Sequence, residues 1–329
     1  MKTRPFGKTG IHLTEIGLGT WGLGGAYYGK VERAEGVRAV QAYLDAGGNH
    51  IDAAFSYQDA EATIGEAIRG RDRSRIVLAS KSYSTYGERL ADLRAELEIS
   101  LRTLGTDYLD LYYLHLVPDE ADALSRALDL LTTLKAEGKI RAVCASLKGP
   151  SVTPEVAASG RHCLASGQLD GVQMIYSVLR QANAPFFAEA RAAGVGVIAR
   201  TVLESGLLTG KYAPGHTFTW PDPKTRYTTT ERDAALSEAA ALARDLPPGY
   251  TGIADLAVGF ALANTDISGV VLGGTSVRQV ARNTAQAALP PLPPAWVERL
   301  RAHLAARNHE FNPTAPFEHI HSTREGFSA

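Results

Sequence analysis

The chain has 329 residues, with 34 Lys+Arg against 35 Asp+Glu, and this balance excludes the electrostatic footprint of a nucleic-acid or anionic-membrane binder. Hydrophobic residues at 45% and charged residues at 21% are those of a core-bearing globular protein, and the length leaves two ordinary domains or one large single fold such as an α/β barrel. Cys144 and Cys163 lack Cys-x-x-Cys spacing, which excludes a disulfide scaffold or zinc knuckle; with no apolar signal core in MKTRPFGKTG and no run of 18 apolar residues, a cytoplasmic location is expected.

Residues 1–13 read as a β-hairpin turning at Gly7-Lys8-Thr9-Gly10. Beyond it, short apolar runs recur at Glu15–Leu18, Asn49–Asp52, Arg75–Ser80, Tyr108–Leu114, Ile140–Ala145, Gly171–Ile175, Val195–Ala199 and Gly269–Leu272. Helical periodicity fills most intervals. Glu88 to Leu104 places Leu90, Leu93, Leu97, Leu101 and Leu104 on one face and stops at Gly105. Ala121 to Glu137 does the same with Leu124, Leu128, Leu131 and Leu134, stopped by Gly138. Eight strand–helix units without a linker predict a single (β/α)8 TIM-type barrel over 1–329. The irregular stretch 204–232 is too long for a bare connection and reads as a functional loop. Residues 311–329 read as an extended tail that could supply Phe317, His319 or His321 to the site.

In such a barrel the chemistry belongs at the C-terminal ends of the strands. Strand two ends at Asp52, with Tyr57 five residues on; strand three ends at Lys81; strand four ends at His115. An ammonium about 4 Å from a phenol favours phenolate by about 4 kcal/mol at an effective dielectric near 20. That would bring the Tyr57 phenol from about 10 toward neutrality, where a general acid works best. Asp52 is the natural counter-ion of Lys81, and His115 can orient a carbonyl oxygen. Asp110 faces the other side of its strand and reads as a structural partner outside the barrel.

HIDAAFSY with Asp52 and Tyr57, VLASK with Lys81, and YLDLYYLH with His115 together resemble the aldo-keto reductase family, and the likeness runs from the hairpin through NTAQAAL near 289. The resemblance implies a reversible NAD(P)H-dependent reduction of an aldehyde or ketone, in which Tyr57 protonates the oxygen as hydride reaches the carbon. Carried over position by position, it places Thr20 and Trp21 beside the nicotinamide, Ser146 and Gln173 on its carboxamide, Asp52, Arg200 and Thr201 also at the cofactor, and Leu203, Ser205, Gly206 and Lys211 along the pyrophosphate. Gly273, Thr275, Gln279 and Asn283 would hold the adenosine, with Arg278 and Arg282 as cations for a 2′-phosphate, so NADP(H) is favoured over NAD(H). Departures from the family pattern fall at Leu147, at Arg200 in place of a stacking aromatic, and at Thr201-Val202-Leu203.

Trp21, Tyr27, Tyr28, Phe55, Tyr83, Tyr86, Leu116, Val117 and Trp220 are the candidate walls of an apolar or sugar-stacking substrate pocket. The partner expected is a small carbonyl or alcohol, with neither nucleic acid nor membrane, and monomer or homo-oligomer left open. Two other readings compete. A cofactor-binding regulatory subunit without significant turnover is one, similar to the β subunits of voltage-gated potassium channels, which replace the residue matching His115. A metal-dependent barrel hydrolase is the other, for which only His115 and Asp52 qualify as ligands. Gly17-Leu-Gly19-Thr-Trp-Gly22 satisfies G-x-G-x-x-G, yet no helix follows it before about Glu32, which argues against a Rossmann turn.

Overall fold

A computed structural model describes residues 1–25, 27–83, 90–115, 117–118, 120–147 and 154–305. Strands β1 (Thr3–Pro5) and β2 (His12–Thr14) pair antiparallel. Eight parallel strands follow: β3 (Ile16–Gly19), β4 (His50–Asp52), β5 (Val77–Ser82), β6 (Leu109–Leu114), β7 (Ile140–Ser146), β8 (Gly171–Ile175), β9 (Gly196–Arg200) and β10 (Gly269–Gly273). They close in chain order, β10 against β3. The helices are α1 (Arg33–Asp45), α2 (Ala60–Ile68), α3 (Leu90–Leu104), α4 (Ala121–Ala136), α5 (Pro154–Ala165), α6 (Ala184–Ala192), α7 (Thr229–Leu242), α8 (Ile253–Ala263), α9 (Val277–Ala285) and α10 (Pro294–Ala305). The fold is the TIM barrel that the alternation predicted, with the hairpin in front.

All six residues of β6, Leu-Asp-Leu-Tyr-Tyr-Leu, are buried, as a strand covered on both faces requires. Leu93, Leu97, Leu101 and Leu104 of α3 and Leu124, Leu128, Leu131 and Leu134 of α4 pack onto the outside of the strands. Inside, Leu111, Tyr113, Ala142, Cys144 and Ile198 meet Phe6, Ile11 and Leu13 of the hairpin, which plugs the lower end. Phe6 fits because two strands carry glycine there: a Cβ on Gly171 would lie 2.0 Å, and one on Gly196 2.3 Å, from its ring. Arg4 fastens the plug, bonding Glu15 Oε1 at 2.7 Å, Leu262 O at 2.8 Å and Ile267 O at 2.9 Å.

Asp110 is the outward partner expected of it, accepting from Arg73 Nη2 at 2.8 Å, Arg141 Nη1 at 2.7 Å and Leu78 N at 2.9 Å. Two boundaries move. Asp72 caps a 3₁₀ turn over Arg73–Arg75, so β5 starts at Val77 and Lys81 lies within the strand. Thr228 and Glu231 form a capping box that starts α7 at Thr229, so the irregular segment ends before Arg232. Residues 88 and 89 and the tail lie outside the described residues. No described helix is long and apolar enough to cross a membrane.

Candidate active site

The upper mouth of the barrel gathers the four residues singled out at the strand ends. Lys81 on β5 is wholly buried; its Nζ donates to Asp52 Oδ1 at 2.7 Å and to Ala53 O at 2.6 Å. The second Asp52 oxygen accepts from Gln173 Nε2 at 2.7 Å, across the barrel on β8. Each Asp52 oxygen therefore has a partner, one a cation and one an amide, and the carboxylate is the counter-ion of Lys81 by geometry. Lys81 Nζ lies 5.2 Å from the centroid of the Tyr57 ring. Tyr57 stands on the loop after β4, edge to face with His115 at 5.8 Å. Ser56 Oγ lies 3.4 Å from His115 Nδ1, a long contact that biases the orientation of the imidazole.

The electrostatics differ from the expectation at Tyr57. Burial pushes its phenol above the usual range, although Lys81 and Arg200 pull the other way. Burial outweighs the pull of Lys81, and the charge of Asp52, the partner of Lys81, raises the phenol further. The Tyr57 phenol is thus protonated at neutral pH rather than poised halfway. Even so, a phenol is a far stronger acid than an aliphatic alcohol, so its proton passes downhill to an alkoxide oxygen.

The residues assigned to a dinucleotide form a continuous arc around the same mouth. Thr20 is buried and bonds Asp52 O at 2.8 Å. Ser146 ends β7 with a hydroxyl that makes no hydrogen bond among the described residues. Gln173 is its register neighbour on β8, with one amide N–H given to Asp52 and the amide oxygen and second N–H left for a carboxamide. Arg200, at the end of β9, turns into the mouth: it bonds Leu147 O at 3.1 Å and Thr201 Oγ1 at 3.4 Å. Burial pulls its guanidinium down to about 10, against the opposing charges of Tyr57 and Asp52. Leu147 itself is core, and only its carbonyl serves the site.

Beyond β9 the backbone turns through left-handed conformations at Thr201 (φ 61°), Glu204 (φ 48°) and Ser205 (φ 54°), before Gly206 at φ 102°. Non-glycine residues hold that geometry only when neighbours over-determine it. Here Glu204 is buried and bonded by Arg180 Nε at 3.0 Å and by the Ser177 hydroxyl. Lys211 and Arg278 are exposed along this arc, and Arg282 reaches Thr209 O at 3.4 Å. At α9, Ser276 caps the helix, Gln279 Oε1 accepts from Thr275 N at 2.9 Å, and Asn283 bonds Gly273 O at 3.0 Å. A Cβ on Gly273 would meet nothing within 4 Å, so that edge is open. An open hydroxyl, turned backbone amides and three cations are a donor set that suits an anionic dinucleotide.

Of the proposed pocket walls, Trp21 is central: its ring lies 4.9 Å from Tyr27, 5.6 Å from Tyr28 and 6.5 Å from Tyr57. Trp220, 60% exposed on the long loop, stands 6.5 Å from Tyr27. Phe55 is buried at 5% exposure, and Val117 is buried in the hydrophobic cluster that also holds Leu114 and Leu124. Tyr83 is half-buried with its backbone N on Glu96 Oε2 at 2.7 Å. Tyr86 and Leu116 lie outside the described residues, as do Phe317, His319 and His321. The sequence reading missed Arg180, Glu204 and Lys224. No local motif marks them; the only hint is a charged residue inside each of three otherwise apolar or turn-rich stretches.

Comparison with known proteins agrees with this construction. The model of the aldo/keto reductase family matches residues 15–305. The NADH-specific methylglyoxal reductase of Escherichia coli is 29% identical over 317 residues, covering 87% of this chain and 93% of its own. The holo form of an aldo-keto reductase from Bacillus halodurans superposes with a TM-score of 0.72 at 25% identity, over 98% of this chain and all of that one. An aldo-keto reductase from Klebsiella pneumoniae in complex with NADPH gives 0.66 at 25% identity, over 92% and 95%. With the family model spanning the barrel and the four polar residues gathered at one mouth, this chain belongs to the aldo/keto reductase family and is an oxidoreductase of its NAD(P)H-dependent carbonyl-reducing kind.

Proposed function

We propose that the chain reduces an aldehyde or ketone reversibly, with Tyr57 as the proton donor. The observation that carries this is the convergence of Lys81, Asp52, Tyr57 and His115 at the upper mouth, with Lys81 held at 2.7 Å from Asp52. A bound dinucleotide supplies the hydride to the carbonyl carbon. The rest is done by side chains. The Tyr57 hydroxyl gives its proton to the oxygen as negative charge develops there, and Lys81 stabilises the phenolate left behind. Asp52 pairs with Lys81 and fixes its position. His115 donates a hydrogen bond that aims the carbonyl oxygen at Tyr57.

The arc from Ser146 to Asn283 holds the dinucleotide in this reading. Arg278 and Arg282 favour a 2′-phosphate and hence NADPH. Arg200 takes the place of a stacking aromatic, and its charge disfavours the cationic oxidised ring more than the neutral reduced one, so the reduced dinucleotide binds the more tightly. The rings from Tyr57 through Trp21 and Tyr27 to Trp220 suit a substrate with an apolar or stacking face.

Titration with NADPH and then NADH, followed by quenching of the tryptophan fluorescence, tests the cofactor side; turnover over a panel of aldehydes and ketones tests the chemistry. Saturable NADPH binding, weaker NADH binding and turnover are expected. Preference for NADH would overturn the role of the two arginines. Saturable binding with no turnover on any carbonyl would overturn the enzymatic reading in favour of a regulatory one.

A further inference from the structure

One buried cation takes no part in the proposed chemistry. Lys224, in the long loop after β9, is 2% exposed. Its Nζ pairs with Asp222 Oδ1 at 2.8 Å and reaches Ser205 O at 3.4 Å. Three rings surround the ammonium: Phe218 at 4.9 Å, Tyr212 at 5.2 Å and Tyr28 at 5.2 Å. Two of these rings and the carboxylate are its own loop's. Tyr28 is not; it belongs to the loop after β3. Ser205 belongs to the left-handed turn at the start of the segment. Lys224 is thus a node joining the turn at Ser205, the far part of the loop, and the loop that carries Trp21, Tyr27 and Tyr28.

Tyr28 is held at φ 64°, a conformation a tyrosine adopts only under constraint. Its ring meets Trp21 edge to face, and Trp21 in turn faces Tyr57. The loop is pinned from the other side too, since Arg232 of α7 bonds the carbonyl of Lys224 at 3.3 Å and that of Tyr227. A flexible lysine stem would ordinarily keep its charge in water. Burying it instead inside rings fixes the relative position of two loops, because the attraction to ring faces depends on distance and direction.

We propose that Lys224 is a positioning residue that sets the substrate wall above Tyr57, acting through Tyr28 on Trp21. This rests on the carbonyl-reductase reading of the mouth. It differs from a merely structural role in one measurable respect: Lys224 and Tyr28 act as one unit, so their effects on substrate binding do not add.

The test is a double-mutant cycle on steady-state kinetics with NADPH and the best carbonyl of the panel, using Lys224→Met, Tyr28→Leu and the pair, with Lys224→Arg as the conservative variant. Each single change is expected to raise KM for the carbonyl about fivefold, more than it lowers kcat, and the pair to raise it no further; Lys224→Arg keeps the cation and restores most of the wild-type KM. Multiplying effects, or an unchanged KM in either single variant, would overturn the proposal. Tyr28 is 39% exposed, so Tyr28→Leu leaves the core intact, and Lys224→Gln takes the place of Lys224→Met in the cycle should that variant not fold. A wild-type protein that binds NADPH but turns over no carbonyl would bring down the underlying reading, and this proposal with it. An active wild type with indifferent variants would bring down this proposal alone.

Discussion

The two ends of the barrel solve the same closure problem in opposite ways. At the lower end the hairpin inserts Phe6, Ile11 and Leu13, and strand glycines make room for the ring. Left-handed turns there are made by glycine, as at Gly105 and Gly138 after α3 and α4. At the upper end the centre is a wholly buried lysine–carboxylate pair, and here, beside glycines such as Gly25 and Gly206, lie the non-glycine left-handed positions of the described residues: Tyr28, Gln58, Thr201, Glu204 and Ser205. Each such non-glycine residue costs on the order of 1 kcal/mol or more. The lower end is apolar and unstrained, and it holds the barrel shut. The upper end is charged and strained, and it keeps polar groups where a reaction needs them. Stability and chemistry are therefore separable by position along the barrel axis.

That separation can be broken by experiment. The largest effect belongs to the upper end: Lys81→Met leaves the phenolate of Tyr57 without its cation and lowers kcat on the order of 10²–10⁴-fold, with NADPH binding retained in a fluorescence titration. Phe6→Ala at the lower end should do the reverse. It costs about 3–5 kcal/mol of stability in denaturant unfolding, while kcat of the folded protein stays near the wild-type value below the transition. A large fall in kcat without loss of stability would contradict the division of labour.

Between the two ends sits His50, inward on β4 below Asp52, with neither ring nitrogen bonded among the described residues. Burial lowers its pKa from 6.5 to about 4. The unfolded chain therefore binds a proton that the folded one refuses, and stability falls as pH drops from about 6.5 toward 4, by roughly 3 kcal/mol in all. The pH dependence of unfolding should lose this component in His50→Leu; an unchanged slope would show that other groups carry it. The smallest effect is at Glu35, whose carboxylate accepts from Val277 N at the start of α9 at 3.1 Å and pairs with Arg38 at 2.6 Å. A negative charge there opposes a 2′-phosphate, so Glu35→Gln should raise the NADPH-to-NADH affinity ratio about two- to fivefold. An unchanged ratio would place the 2′-position elsewhere.

Much of this was legible in the sequence because it is local. Each barrel strand is a short buried run, and period-two alternation is enough to set Asp110 outward and His115 inward. Asp52, Tyr57, Lys81 and His115 could be read together because strand ends in a barrel converge by topology alone. What could not be read was the state of the groups once gathered. The expectation that Lys81 would pull the Tyr57 phenol toward neutrality ignored that burial acts on the phenol itself and that the charge of Asp52 raises it further. Gln173 likewise turned its amide toward Asp52, a partner on a distant strand. Lys224 with Tyr28, and Arg180 with Glu204, meet only because two loops fold toward each other, and no spacing in the chain announces such a pair.

The central claim is that the Tyr57 hydroxyl supplies the proton in carbonyl reduction. Single-turnover oxidation of bound NADPH by a carbonyl substrate, compared between the wild-type protein and Tyr57→Phe, tests it most directly. The account predicts NADPH affinity within about twofold of wild type and a chemical step slower by at least about 10²-fold, since the phenyl ring keeps its place and only the proton is lost. A Tyr57→Phe protein that oxidises NADPH at the wild-type rate would contradict it.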